Sequence, residues 1–136
     1  MKAYLINPKD ETITVVDYDN SDYKNISKMI DAHWFTTVQI SDNMDTMYLD
    51  DEGLLHNGEK YNFTLHNGEI YDLARDTQLL RTYIGKGLVL GCDDEGESCE
   101  PEITLEELKN RIDFNCYVIG EKKWQFILVK KTKTKK

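Results

Sequence analysis

Proline and glycine are sparse in this chain, at two and eight residues among 136. That excludes collagen-like, proline-rich and glycine-rich linker architectures. Long apolar runs are missing too. None exceeds four residues, as at positions 126–129, so no segment has the length of a membrane-spanning helix. The first ten residues, Met-Lys-Ala-Tyr-Leu-Ile-Asn-Pro-Lys-Asp, lack the apolar centre of a signal peptide. A cytoplasmic chain without membrane contact is therefore expected. Cysteine is scarce and odd in number, with Cys92, Cys99 and Cys116 alone, which speaks against a disulfide framework and for free thiols. Six residues separate Cys92 from Cys99, a gap longer than the short spacing of a zinc site.

Basic side chains are thin outside the C-terminus. Five of the 17 lie in the last seven residues, and the remaining 129 carry 12 against all 25 acids, a net of −13. Such a body repels phosphate backbones and is poorly suited to binding nucleic acid directly. The organisation that follows is one domain over residues 1–129 and a lysine-rich flexible tail over 130–136. What the body does have is 40% apolar and 31% charged residues, the balance of a folded globular chain.

Short periodic segments fill that body. Residues 3–7 and 12–18 read as strands, joined by the turn chemistry of Asn7-Pro8-Lys9-Asp10. Asn20, Ser21 and Asp22 offer N-cap oxygens to a helix over 23–32, where Ile26, Met29 and Ile30 share one face. Residues 35–40 and 46–50 form a second strand pair across Ser41-Asp42-Asn43. The segment Leu55-His56-Asn57-Gly58-Glu59-Lys60-Tyr61 is echoed ten residues later from Leu65 to Tyr71. Its Asn-Gly pairs predict tight turns on either side of a strand over 60–65. Residues 72–84 fit a helical stripe only in part and read as a loop with one or two helical turns.

A buried strand follows over 85–91. Its glycines stand inside the strand, which excludes a dinucleotide fingerprint, and Lys86 lacks the frame of a P-loop. Thr104 and Glu107 form a capping box for a helix with Leu105, Leu108 and Ile112 on its apolar side. Strands over 115–119 and 123–130, turning at Gly120-Glu121-Lys122, close the chain, and the apolar final strand is expected inside the sheet. The predicted class is α+β: a mostly antiparallel sheet of about six to eight short strands with two short helices on it.

Asp-Asp-Glu-Gly occurs twice, each time after a strand. The candidate binding residues are therefore Asp50, Asp51 and Glu52 with Asp93, Asp94 and Glu95. Converging carboxylates suit a hard cation or a small-molecule pocket. The ordinary reading is solvated turn residues at strand ends, and neither copy follows a calcium-loop spacing. His56 and His66 have no cysteine or carboxylate at ligand spacing and read as turn-flanking residues. Ser98 and Cys99 stand in an acidic loop, which disfavours a thiolate. No catalytic residue and no cofactor is assigned.

The segments Tyr48-Leu49-Asp50-Asp51-Glu52-Gly53-Leu54-Leu55 and Gly85-Lys86-Gly87-Leu88-Val89-Leu90-Gly91-Cys92-Asp93-Asp94-Glu95-Gly96-Glu97-Ser98, followed by Thr104-Leu105-Glu106-Glu107-Leu108, carry a resemblance. It is to an uncharacterised domain-of-unknown-function family of phages, plasmids and integrated mobile elements, and it covers roughly residues 1–115. Residues 72–83 then read as a local elaboration. The resemblance implies a setting in a bacterial cytoplasm and brings no activity with it. With the acidic body, it leads to the expectation of a non-enzymatic accessory protein that binds a host or element-encoded protein. The alternative is a small-molecule or divalent-metal module with its pocket at the two acidic strand ends. Sheet edges in so small a protein also allow a dimer.

Overall fold

The computed structural model of the chain describes residues 1–41, 44–51, 60–65, 82–122 and 125–130. Lys2–Asn7 (β1) and Thr12–Asp17 (β2) form the expected hairpin, paired from Lys2↔Asp17 to Asn7↔Thr12. Asn7 Oδ1 accepts the backbone N–H groups of Lys9 and Asp10 at 3.1 and 3.3 Å, closing the turn around Pro8. Then come Lys24–Met29 (α1), Phe35–Gln39 (β3), Thr46–Asp50 (β4), Asn62–Leu65 (β5), Thr82–Ile84 (β6), Gly87–Cys92 (β7) and Ser98–Cys99 (β8). Leu105–Asn110 (α2), Ile112–Phe114 (β9), Tyr117–Lys122 (β10) and Gln125–Lys130 (β11) complete the order.

The α+β class holds, and every strand pair among the described residues is antiparallel. Eleven strands are present among the described residues, more than the six to eight expected, and they divide among three sheets. The excess comes from β6, β8 and β9, which have three, two and three residues. Pieces that short carry no legible alternation.

The main sheet has the order β2-β1-β7-β4-β3, with β8 added beside β7. Its inner strands are apolar on both sides because both sides are covered. Tyr4, Ile6, Met47, Leu49 and Val89 face one way, onto Phe63 and Leu65 of β5, Ile112 of β9 and Leu108 of α2. Ala3, Leu88 and Leu90 face the other way, onto Tyr18 and the Ile26 and Ile30 side of α1. The molecule is thus layered: α1, the main sheet, then α2 with the three-stranded sheet β6-β5-β9. At Gly87 the main sheet lies close against Phe63 of the smaller one. A Cβ there would stand 3.1 Å from the Phe63 ring.

The two helices differ in how they begin. Thr104 Oγ1 accepts the Glu107 N–H at 3.1 Å, the expected cap of α2. At α1 the N-cap is Tyr23, which makes no side-chain cap bond. Asp22 Oδ1 instead takes the N–H of Lys24 at 2.9 Å, so one of the three expected cap residues supplies the oxygen. Ile112, placed on the helical stripe by its spacing, opens β9 and is buried in the same core.

Near the C-terminus the sequence reading needs correcting. Gly120, Glu121 and Lys122 lie within β10, and Lys122 pairs with Gln125. Among the described residues β11 pairs with β10 alone, not inside the larger sheet; an apolar run does not by itself identify a central strand. Lys130 belongs to β11, opposite Tyr117, and residues 131–136 of the expected tail lie outside the described residues. Both Asn-Gly turns, His56, His66 and residues 72–81 also lie outside them. Of the stretch read as helical turns, Thr82–Ile84 is a strand.

Candidate functional site

Strand direction decides where the acidic motifs stand. β4 and β7 run antiparallel, with Leu49 opposite Gly87 and Thr46 opposite Leu90. Asp50 therefore lies one residue beyond one end of this pairing and Asp93 three residues beyond the other. At about 3.3 Å per residue, roughly 20 Å of strand separates them. One cation, with ligands at about 2.5 Å, does not reach both. The register thus sets apart the two motifs that the alternative reading placed at one pocket. Among the described residues no group of three histidine, cysteine, aspartate or glutamate side chains is arranged to hold a metal ion.

At the Asp93 end the motif builds an ordered turn. Asp93 Oδ1 accepts the backbone N–H groups of Glu95 and Glu97, both at 2.9 Å. The Asp93 N–H reaches Glu97 O at 2.9 Å, and Gly96 holds a φ of +81° that a glycine adopts without strain. This carboxylate organises its own loop, while Asp94 and Glu95 are exposed. The turn returns the chain into β8, where Gly91 lies opposite Cys99. A Cβ on Gly91 would meet Glu100 O at 2.4 Å and Cys99 Sγ at 2.9 Å, so only glycine admits this approach. Burial pushes the Cys99 thiol up, and the charge of Asp93 adds to the effect, which keeps it from acting as a ready thiolate.

Sequence reasoning missed the residue that anchors this end. Asp45 is fully buried at the start of β4. Its two oxygens accept the N–H groups of Glu102 and Ile103 at 3.0 and 2.8 Å, fastening the segment before α2 to the sheet. Arg111 Nη1 donates to Ile40 O at 2.8 Å in the same region. From Asp93 to Glu107 the chain carries eight carboxylates and no basic residue, and all eight are exposed. The result is an acidic ridge on a fixed backbone.

The Asp50 end is different. There Asn7, Lys9, Asp31, Asp50, Lys60 and Lys86 line a cleft of about 200 Å³, with Ile30, Tyr61 and Ile84 supplying apolar wall. Three ammonium groups against two carboxylates give a local excess of +1 in a body of −13. Lys86 Nζ pairs with Asp31 Oδ2. Asn115 fixes one wall from the chain's far end: its Nδ2 donates to Pro8 O at 2.8 Å and its Oδ1 accepts the Asn62 N–H at 2.9 Å. Its φ of +50° is one that asparagine tolerates better than most residues. Of the five predicted site residues that are described, Asp50 alone lines this cleft. Asp51 is exposed beside it, with its N–H on Trp34 O at 3.1 Å, and Glu52 lies outside the described residues.

An antiparallel α+β protein with an ordered acidic turn at one end of its sheet and a mixed-charge cleft at the other is the class these features define. The chain belongs to the family described as Domain of unknown function (DUF3846), whose family model matches residues 1–113. No curated protein and no solved structure matches it. The matched stretch takes in β1 to β8, α2 and most of β9, and so both ends of the main sheet.

Proposed function

We propose that this is a non-enzymatic accessory protein that binds a basic protein partner through the ridge at 93–107. The setting is the bacterial cytoplasm of a phage or mobile-element host, and the partner is encoded by the host or by the element. One observation carries the reading: eight exposed carboxylates without an intervening cation, held on a backbone fixed by Asp93 and Asp45. A preformed surface of one sign steers a partner of the other sign and loses little freedom on binding.

Capture from host lysate tests this, comparing the natural chain with the triple variant Asp94→Asn, Glu95→Gln, Glu97→Gln. A basic protein retained by the first, lost with the second and released by added salt supports the proposal. Retention unchanged by the variant or by salt overturns it.

The cleft favours a second reading, a module for a small ligand. Its lysine excess suits a small carboxylate or phosphate better than a divalent cation. Here the thermal midpoint in inorganic phosphate, citrate, Mg²⁺ and Ca²⁺ is the measurement. A ligand at a hundred times its Kd stabilises by about 2.7 kcal/mol, a shift of several degrees. A shift with the anions that Lys86→Gln reduces supports the reading, and a flat response sets it aside.

A further inference from the structure

Both outer strands of the main sheet leave an edge that no described strand covers, and the two edges differ in charge. β2 is bracketed by exposed Glu11 and Asp17, and α2 lies against it. β3 sits in the longest stretch of the chain without Asp, Glu, Lys or Arg, the ten residues 32–41, in a chain that is 31% charged. Natural sheets usually guard an edge with charge, proline or a bulge. β3 has none of these: Phe-Thr-Thr-Val-Gln pairs regularly with β4 over its whole length.

Two of the largest exposed apolar side chains flank this edge. Trp34, just before β3, is 63% exposed, and Met44, in the turn after it, is 49% exposed. Met44 also holds a φ of +72°, where glycine or asparagine sits more easily. In an isolated copy, methionine suits that position on neither count.

We propose that two copies of this chain associate by antiparallel pairing of β3 with β3 about a two-fold axis at Thr37. In that register Phe35 lies opposite the second copy's Gln39, and Trp34 opposite its Ile40, next to the turn that carries Met44. Each copy thus offers one exposed apolar group to each end of the contact, and the same patch serves both copies, as a two-fold interface requires. Pairing β2 about Thr14 sets Glu11 against Asp17 twice, and like charges directly opposite are destabilising. The uncharged β3 edge is the better match for a second negative body.

Sedimentation equilibrium over a concentration series, at low and high salt, reads the association. The expected result is a monomer–dimer equilibrium that tightens with salt, because screening relieves repulsion between two negative bodies. That is the opposite sign to the ridge binding a basic partner. Thr37→Lys puts two ammonium groups face to face at the axis and should raise the dissociation constant roughly five- to tenfold. Mild oxidation of Thr37→Cys should give a dimer whose crosslink maps to position 37 in both chains, since opposed strand residues lie within disulfide reach. If Thr37→Lys fails to fold, the crosslink alone decides. A monomer at every concentration, a dimer indifferent to a folded Thr37→Lys, or crosslinks through Cys92 or Cys99 without position 37 overturns the proposal.

Discussion

The same four residues, Asp-Asp-Glu-Gly, end β4 and β7, and the two copies meet opposite surroundings. After β7 the first aspartate turns inward on its own loop, and the chain goes on into further carboxylates. After β4 the first aspartate lines a cleft shared with three lysines. The tetrapeptide is constant; what differs is the company that strand direction brings. Because β7 lies antiparallel between β1 and β4, its end meets the beginnings of both neighbours, and its beginning meets their ends. A short acidic motif therefore takes its chemistry from topology more than from its own composition.

If the acidic end is held by internal polar contacts, its anchor should be the most sensitive point. Asp45→Ala leaves the Glu102 and Ile103 N–H groups without that acceptor and should cost about 3 kcal/mol in urea unfolding. A loss below about 1 kcal/mol would show that other contacts hold the segment. Glycine substitutions at the two ends of β7 sharpen the contrast. Gly91→Ala drives a Cβ into a backbone carbonyl and should cost about 2 kcal/mol. Gly87→Ala meets the tip of the Phe63 ring at 3.1 Å, a longer approach and to a side chain instead of a backbone carbonyl, and should cost less. The reverse order in thermal melts would break the comparison. Smaller again, Thr104→Ala removes the cap of α2, which carries two of the ridge carboxylates, and should cost about 1 kcal/mol.

The smallest effect concerns alkaline pH. Tyr18 lies beside the first residues of β1, with reciprocal backbone bonds to Met1. Burial raises its phenol above the ordinary value of 10.0, and the charges of Tyr48, Asp19 and Asp22 add to this. The fold favours the protonated phenol. Its contribution is thus complete below the unfolded pKa and is lost as pH rises through the raised value of the folded state. Tyr18→Phe should flatten the alkaline limb of the stability curve and leave neutral pH nearly unchanged, as pH-dependent denaturation would report.

Most local signals in the sequence led to correct structure, and non-local ones did not. The Asn7-Pro8 turn, the Thr104 cap and the paired isoleucines of α1 each need only a few neighbouring residues to be read. Asp45 carries no local signal, because its partners lie 57 and 58 residues further on. The two acidic motifs looked convergent because both follow strands, and only the order β1-β7-β4 reveals that they point apart. Glycine misled at position 120, where it sits within a strand.

The central place of β7 also bears on how the protein is made. Tyr4 and Met47 both pair with Val89, so the β1–β2 and β3–β4 hairpins stay separate ribbons until residues 87–92 have left the ribosome. Through that interval each ribbon holds open the apolar surfaces that β7 later joins on both faces of the sheet. Contacts of such long sequence separation form slowly, and exposed strands of this kind are what chaperones shield from aggregation. A ribosome that has not yet released residue 87 would therefore carry the chain at its stickiest, and one that has released residue 92 would carry a main sheet ready to close.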